Sequence, residues 1–215
     1  MLGDMSAHPM FPLGMTLLPG EPLSLQVFEP RYRTMVADCT SADGDNTFGV
    51  VLIARGHEVG GGEERVDVGT LASIEECSPR PDGRYHLSCV GTERFRVRSW
   101  LPDDPYPKAD IELWTSPQTD DLNLDLQPVV HRLDSLAEAL MRIRGIAVGD
   151  RLIEPLDNDE TVETKVYGTA VRLGLGPADR LRILSAPTTA ERIDALCQAL
   201  DDLIAVIEFS GLPSN

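Results

Sequence analysis

In the first half of the chain, short apolar runs recur with turn residues between them. Runs at about 10–13, 22–28, 48–54, 66–77, 84–91, 93–101 and 109–114 are rich in Val, Ile, Leu and Phe. Short strands at this spacing predict an antiparallel sheet that closes into a barrel or a sandwich. One helix is expected among them. It begins at Pro30, where proline's fixed φ suits a first helical turn, and runs to about Asp38. Gly60-Gly61-Gly62-Glu63-Glu64 reads as a mobile loop tip.

Near residue 115 the character changes. Thr115 to Gln127 form a polar connection, and beyond it the apolar period moves from two to 3.6. Leu133, Leu136, Leu140 and Ile143 mark one helix, and Val162, Val166, Ala170 and Leu173 mark a second. A short third helix is expected from Pro177, after a stop at Gly174 to Gly176. The last opens at Thr188-Thr189-Ala190-Glu191, a capping-box pattern, and carries the stripe Ile193, Leu196, Leu200, Leu203, Ile204 and Ile207. Two subdomains follow, a β-rich half over residues 1–118 and a helical half over 119–215.

Particular motifs sharpen this outline. Phe11 to Arg33 places two apolar runs around Leu18-Pro19-Gly20 and then a helix start. After it come Phe48-Gly49-Val50-Val51-Leu52-Ile53, Val68-Gly69-Thr70, a turn at Asp82-Gly83, and Gly91-Thr92-Glu93-Arg94-Phe95. Together, in this order, they resemble the amino-terminal domain of Lon-type ATP-dependent proteases, a module also found alone in bacteria and inside cereblon. The resemblance runs more loosely through the helical half to about Phe209. It implies an α+β fold, a PUA-like β-barrel followed by a helical bundle. It also implies recognition of other proteins, since in full-length Lon this module helps to engage substrates and supports assembly.

Charge narrows the choice of partners. The chain has 215 residues, and 35 acidic against 19 basic side chains give a formal net charge of -16. Such a surface repels phosphate backbones and anionic lipid. The start lacks a basic, apolar signal segment, and no run reaches the roughly 18 apolar residues of a membrane span, so a cytoplasmic protein is expected.

The chemistry that catalysis needs is missing. The two lysines, Lys108 and Lys165, lie outside any phosphate loop, and S-x-x-K and G-x-S-x-G do not occur. The serine–lysine pair that the resemblance would bring from the Lon peptidase has no counterpart, so no enzyme activity is expected. His8, His57, His86 and His131 are dispersed. His57 with Glu58, Glu63 and Glu64 could hold a divalent ion only loosely, and a solvated loop is the simpler reading. Asp103-Asp104 and Asp201-Asp202 are sequence neighbours whose side chains diverge, so they read as surface charge. No cofactor or metal is implied. The four cysteines form no C-x-x-C pair. With a hairpin loop at 78–83, Cys77 would face about Arg84 and Cys89 about Ala72, which leaves both as free buried thiols.

Binding is what remains. Phe11, Leu17, Leu18, Phe28, Arg31 and Tyr32 are the candidate polypeptide-binding residues, although most of the apolar members are expected to fill the core. The expected function is a stand-alone, non-catalytic adaptor or sensor. Its partners would be unfolded or degron-bearing proteins, and a protease or another protein complex. A small-molecule or RNA-binding PUA-like module is the alternative, since Arg94, Arg96 and Arg98 alternate along a strand and share one face, where they could form a patch or pair with neighbouring acids. A cryptic hydrolase is a further alternative, against which the missing motifs argue. Oligomeric state is left open.

Overall fold

The computed structural model describes residues 7–56, 62–116, 124–146 and 161–210. Part of the expected loop tip, Gly60 and Gly61, lies outside them, as do His57, Glu58 and most of the polar connection. The chain divides into two compact units, Met1–Thr115 and Ser116–Asn215.

Among its described residues the first unit holds six strands and one helix: β1 Ala7–Leu13, β2 Pro22–Val27, α1 Pro30–Cys39, β3 Thr47–Arg55, β4 Glu64–Pro79, β5 Tyr85–Leu101 and β6 Lys108–Leu113. The runs expected at 84–91 and 93–101 are one 17-residue strand. That length closes the sheet. The first part of β5 pairs with β2, its second part pairs with β6, and β4 pairs with it from Tyr85 to Arg96. Since β1 joins β3 to β6, the ring β5-β4-β3-β1-β6 returns to β5, and β2 hangs on its outside. Closure satisfies the backbone groups that a flat sheet leaves open at its edges. All pairs are antiparallel except β1 with β3, which run parallel with Phe11 opposite Val50.

Three glycines allow this closure. A Cβ on Gly49 would stand 2.6 Å from the Met10 sulfur, and one on Gly69 would stand 2.6 Å from the Phe95 ring. On Gly91 it would collide with the Leu18 carbonyl oxygen. Phe95, Met10, Val51, Leu71 and Ala109 form one core cluster. A second gathers Phe11, Val27, Tyr32, Met35, Phe48 and Leu87, with α1 covering the sheet. Met10 and Phe11 are consecutive and feed different clusters, as strand alternation requires.

The second unit contains α2 Gln127–Arg144, α3 Val162–Arg172, α4 Pro177–Ser185 and α5 Thr189–Ser210. The other three helices all contact α5. Capping explains the boundaries. Gly145 takes a left-handed φ of 64° where α2 stops, and Thr161 accepts from the Thr164 amide at 3.2 Å where α3 starts. At α5 the Glu191 amide donates to Thr188 Oγ1 at 3.2 Å, and the Thr188 amide donates to the Glu191 carboxylate at 3.0 Å, which is the expected reciprocal box. The core also contains an ion pair. Arg192 is fully buried, meets Glu163 at 3.0 Å and donates to Ser116 Oγ at 2.9 Å.

Candidate functional site

The stretch from Phe11 to Tyr32 is pinned by its own turn chemistry. The Glu21 amide donates to the Leu18 carbonyl at 3.1 Å, and Gly20, at φ 80°, occupies the left-handed position of that Pro-Gly turn. The Glu21 carboxylate, itself buried, accepts the Leu18 amide at 3.0 Å, and Thr70 Oγ1 donates to the Leu17 carbonyl at 2.7 Å. Hydrogen bonds between Gly20 and Gly91 and between Gly91 and Glu21, both 2.8 Å, fasten the turn to β5. Leu17 and Leu18 are consequently enclosed, Leu18 at 0% exposure.

The other candidates meet where β2 runs into α1. Phe11 and Tyr32 stack with ring centroids 4.1 Å apart and planes 9° apart. Arg31 covers the Tyr32 ring at 4.5 Å and is held by the Glu29 carboxylate at 3.1 Å. Phe28 is 52% exposed, although its sequence neighbour Val27 is buried. These groups surround a cavity of about 90 Å³ that is mostly apolar, lined by Phe11, Leu13, Leu25, Val27, Phe28 and Tyr32 with Gln26 and Glu29. Of the six sequence candidates, Phe11, Phe28 and Tyr32 line it, Arg31 braces it from behind Tyr32, and Leu17 and Leu18 lie in the core.

Tyr32 is 2% exposed, and its hydroxyl has no hydrogen-bond partner among the described residues. Burial pushes its ionisation above the ordinary tyrosine range; Arg31 opposes this, and the Glu63 and Glu29 carboxylates add to it. Glu63, expected on a solvated tip, is instead buried and paired with Arg65 at 2.8 Å. Arg65 also pairs with Asp103 and lies 4.9 Å from the Trp100 ring centroid.

Sequence reasoning missed a second hollow beside the first. It is about 430 Å³ and is lined by Gln26, Arg80, Pro81, Asp82, Arg84, Tyr85 and His86. The hairpin that builds it follows the expected Asp-Gly turn. The Gly83 amide donates to the Arg80 carbonyl at 2.9 Å, the Asp82 side chain accepts the Arg84 amide at 3.1 Å, and Gly83 sits at φ 79°. Arg33 of α1 leans on the tip, its guanidinium 2.6 Å from where a Gly83 Cβ would be. The only signal in the sequence was the cluster Arg80, Arg84 and His86 itself. The strand register also differs from the expected one. The ladder continues to Pro79 opposite Tyr85, so Cys77 faces Leu87 and Cys89 faces Ile74; both thiols are free.

The arginine triplet does not form a shared exposed face. Arg94 is buried, and its guanidinium lies 4.1 Å from the Trp114 ring centroid, with that of Arg96 at 3.3 Å. Arg98 follows a register shift in the β5–β6 ladder and pairs with Glu112 at 3.3 Å. Among the described residues, no group of three His, Cys, Asp or Glu side chains is placed to hold a metal, and no helix is long and apolar enough to cross a membrane.

Residues 7–202 match the model of the family described as the ATP-dependent protease La (LON) substrate-binding domain, and the chain belongs to that family. It is similar to the crystal structure of a Lon N-terminal domain protein from Xanthomonas campestris, at 26% identity and a TM-score of 0.63, over 90% of this chain and 98% of that one. The N-terminal domain of a Mycobacterium avium complex Lon protease shares the fold, with a TM-score of 0.59 at 15% identity over 92% of this chain and 99% of that one. Among curated proteins it is similar to Lon protease 2 of Syntrophobacter fumaroxidans, 26% identical over 84% of this chain and 22% of that protein. The Lon protease of Cytophaga hutchinsonii is 22% identical over 94% of this chain and 25% of that protein. The chain thus spans no more than a quarter of the length of these curated relatives.

Proposed function

We propose that this chain is a non-catalytic recognition module of the cytoplasm that binds unfolded or degron-like polypeptide as an adaptor or sensor. The observation that carries the reading is Phe28, a large aromatic side chain held half in solvent at the mouth of an apolar cavity. It does so in a member of a family described as substrate-binding. An exposed aromatic beside a cavity is a poor use of apolar surface unless something covers it. Aliphatic or aromatic side chains of a partner would enter against Phe11, Phe28 and Tyr32, with Arg31 bracing the wall. The absence of phosphate-loop and serine–lysine motifs supports the expectation that neither ATP nor casein is turned over.

Binding of a reduced, permanently unfolded protein tests the reading. Phe28→Ala should weaken it by about 1 to 2 kcal/mol and leave the melting temperature unchanged, because the side chain contributes little to the core. Tyr32→Ala, by contrast, should cost stability on the order of 3 to 5 kcal/mol as a buried aromatic. Unaltered binding by the Phe28 variant would remove this cavity from the function.

A further inference from the structure

The cavity at Phe28 and the hollow at Arg80 flank the same strand and share Gln26. β2 pairs with β5 through all six of its residues, and no described residue pairs with its other edge. Leu25 and Val27 line the Phe28 cavity, and Gln26 between them borders both hollows and lies opposite His86, beside the arginines. A strand added to the free edge of β2 would alternate, its successive side chains falling to opposite faces.

The charge at the second hollow is distinctive in a chain of net charge -16. Arg80 and Arg84 line the hollow with His86, Arg33 lies against Gly83 of the same hairpin, and Asp82 is the only carboxylate in the lining. Asp82 is already engaged by Arg84 at 3.3 Å. Arg33 and Arg80 are exposed and form no ion pair among the described residues. A molecule that elsewhere repels anions thus offers unneutralised guanidinium groups one strand position from an apolar cavity.

Resting on the reading above, we infer that the partner is an extended polypeptide that adds to β2, places an apolar side chain in the Phe28 cavity and sets an Asp or Glu at an adjacent, odd-numbered offset against Arg80, Arg84 and Arg33. The edge supplies main-chain hydrogen bonds, the cavity selects an apolar residue, and the hairpin selects the sign of its neighbour. Segments with lysine in that position are rejected, because they would put like charges together.

Fluorescence anisotropy of the whole chain with four labelled peptides provides the test. Each carries one central Leu in an otherwise Ser/Thr sequence, with Asp on both sides, Asn on both sides, Lys on both sides, or Asp moved two positions away. The adjacent-Asp peptide should bind about fivefold more tightly than the Asn peptide, and the Lys peptide more weakly than either. Moving Asp two positions away should erase the gain. Arg80→Glu, at an exposed position, should reverse the Asp-over-Lys preference while leaving the melting temperature unchanged. Equal affinity for the adjacent-Asp, Asn and Lys peptides, all lost in Phe28→Ala, would overturn this inference and leave the recognition reading standing. Failure of every peptide and of unfolded protein to bind would overturn both, as would tight RNA binding that depends on Arg80 and Arg84.

Discussion

Leu18 and Phe28 read alike in the sequence, as apolar residues in a stretch rich in turns, yet one is fully buried and the other is half exposed. What separates them is long-range. The Leu17-Leu18 backbone is tied to Thr70 and the following turn to Gly91, contacts that no local pattern announces. The thiols show the same dependence on tertiary surroundings. Burial pushes Cys39 up to about 12, with Asp45 and Asp38 adding to it, and pushes Cys89 up to about 12, with Glu75 and Cys77 adding. Cys77 is raised by burial too, but is only partly buried. At pH 8 an aromatic disulfide reagent should therefore modify Cys77 first and leave Cys39 and Cys89 slow, with all four thiols reacting in denaturant. The linkage has a definite sign. A folded thiol that ionises above its unfolded value of about 8.5 holds its full contribution to stability below that pH. The contribution is lost as pH rises toward about 12. Stability should fall across this alkaline window in denaturant titrations. A flat profile, or Cys89 reacting as fast as Cys77, would contradict the burial.

Elements were more legible than residues. Every helix was visible, since proline at Pro30 and Pro177, the Thr188–Glu191 box and the 3.6 period each act through neighbours in sequence. Strand positions were visible, but their partners were not. The parallel β1–β3 pair and the continuous β5 depend on closure of the ring, and a shift of the β4–β5 register by the bulge between Ile74 and Glu76 cannot be read from alternation. The second cavity was hidden for that reason, because it exists only when Gln26 and His86 lie opposite each other. Local signals also support a quantitative expectation. Thr188→Ala removes the acceptor for the Glu191 amide at a half-buried position and should cost about 1 kcal/mol. Thr188→Ser should restore it. Denaturation monitored by far-ultraviolet dichroism gives the measurement, and equal stability of the Ala and Ser variants would show that the cap contributes nothing.

At the scale of the molecule, the chain divides into two compact units between Thr115 and Ser116. Each unit is complete in the terms that local physics demands. In the first, the ring β5-β4-β3-β1-β6 closes entirely within residues 7–113, and both hydrophobic clusters lie inside the same span. In the second, Leu136, Tyr167, Ile183 and Leu196 are buried, and Arg192 of the Arg192–Glu163 pair also donates to Ser116, Thr189 and Pro187. Ser116 hydrogen-bonds both members of this buried pair, so the cut must keep it with the helices. From this we expect that residues 1–115 and 116–215, expressed separately, each unfold cooperatively. The first should retain Phe28-dependent binding of unfolded protein, because every residue of the two cavities belongs to it. A fragment 117–215, one residue shorter, should melt below 116–215 because Arg192 loses a hydrogen bond. Gradual, non-cooperative melting of fragment 1–115 would show that the closed ring is insufficient by itself. Binding confined to fragment 116–215 would move the recognition surface to the helices and away from β2.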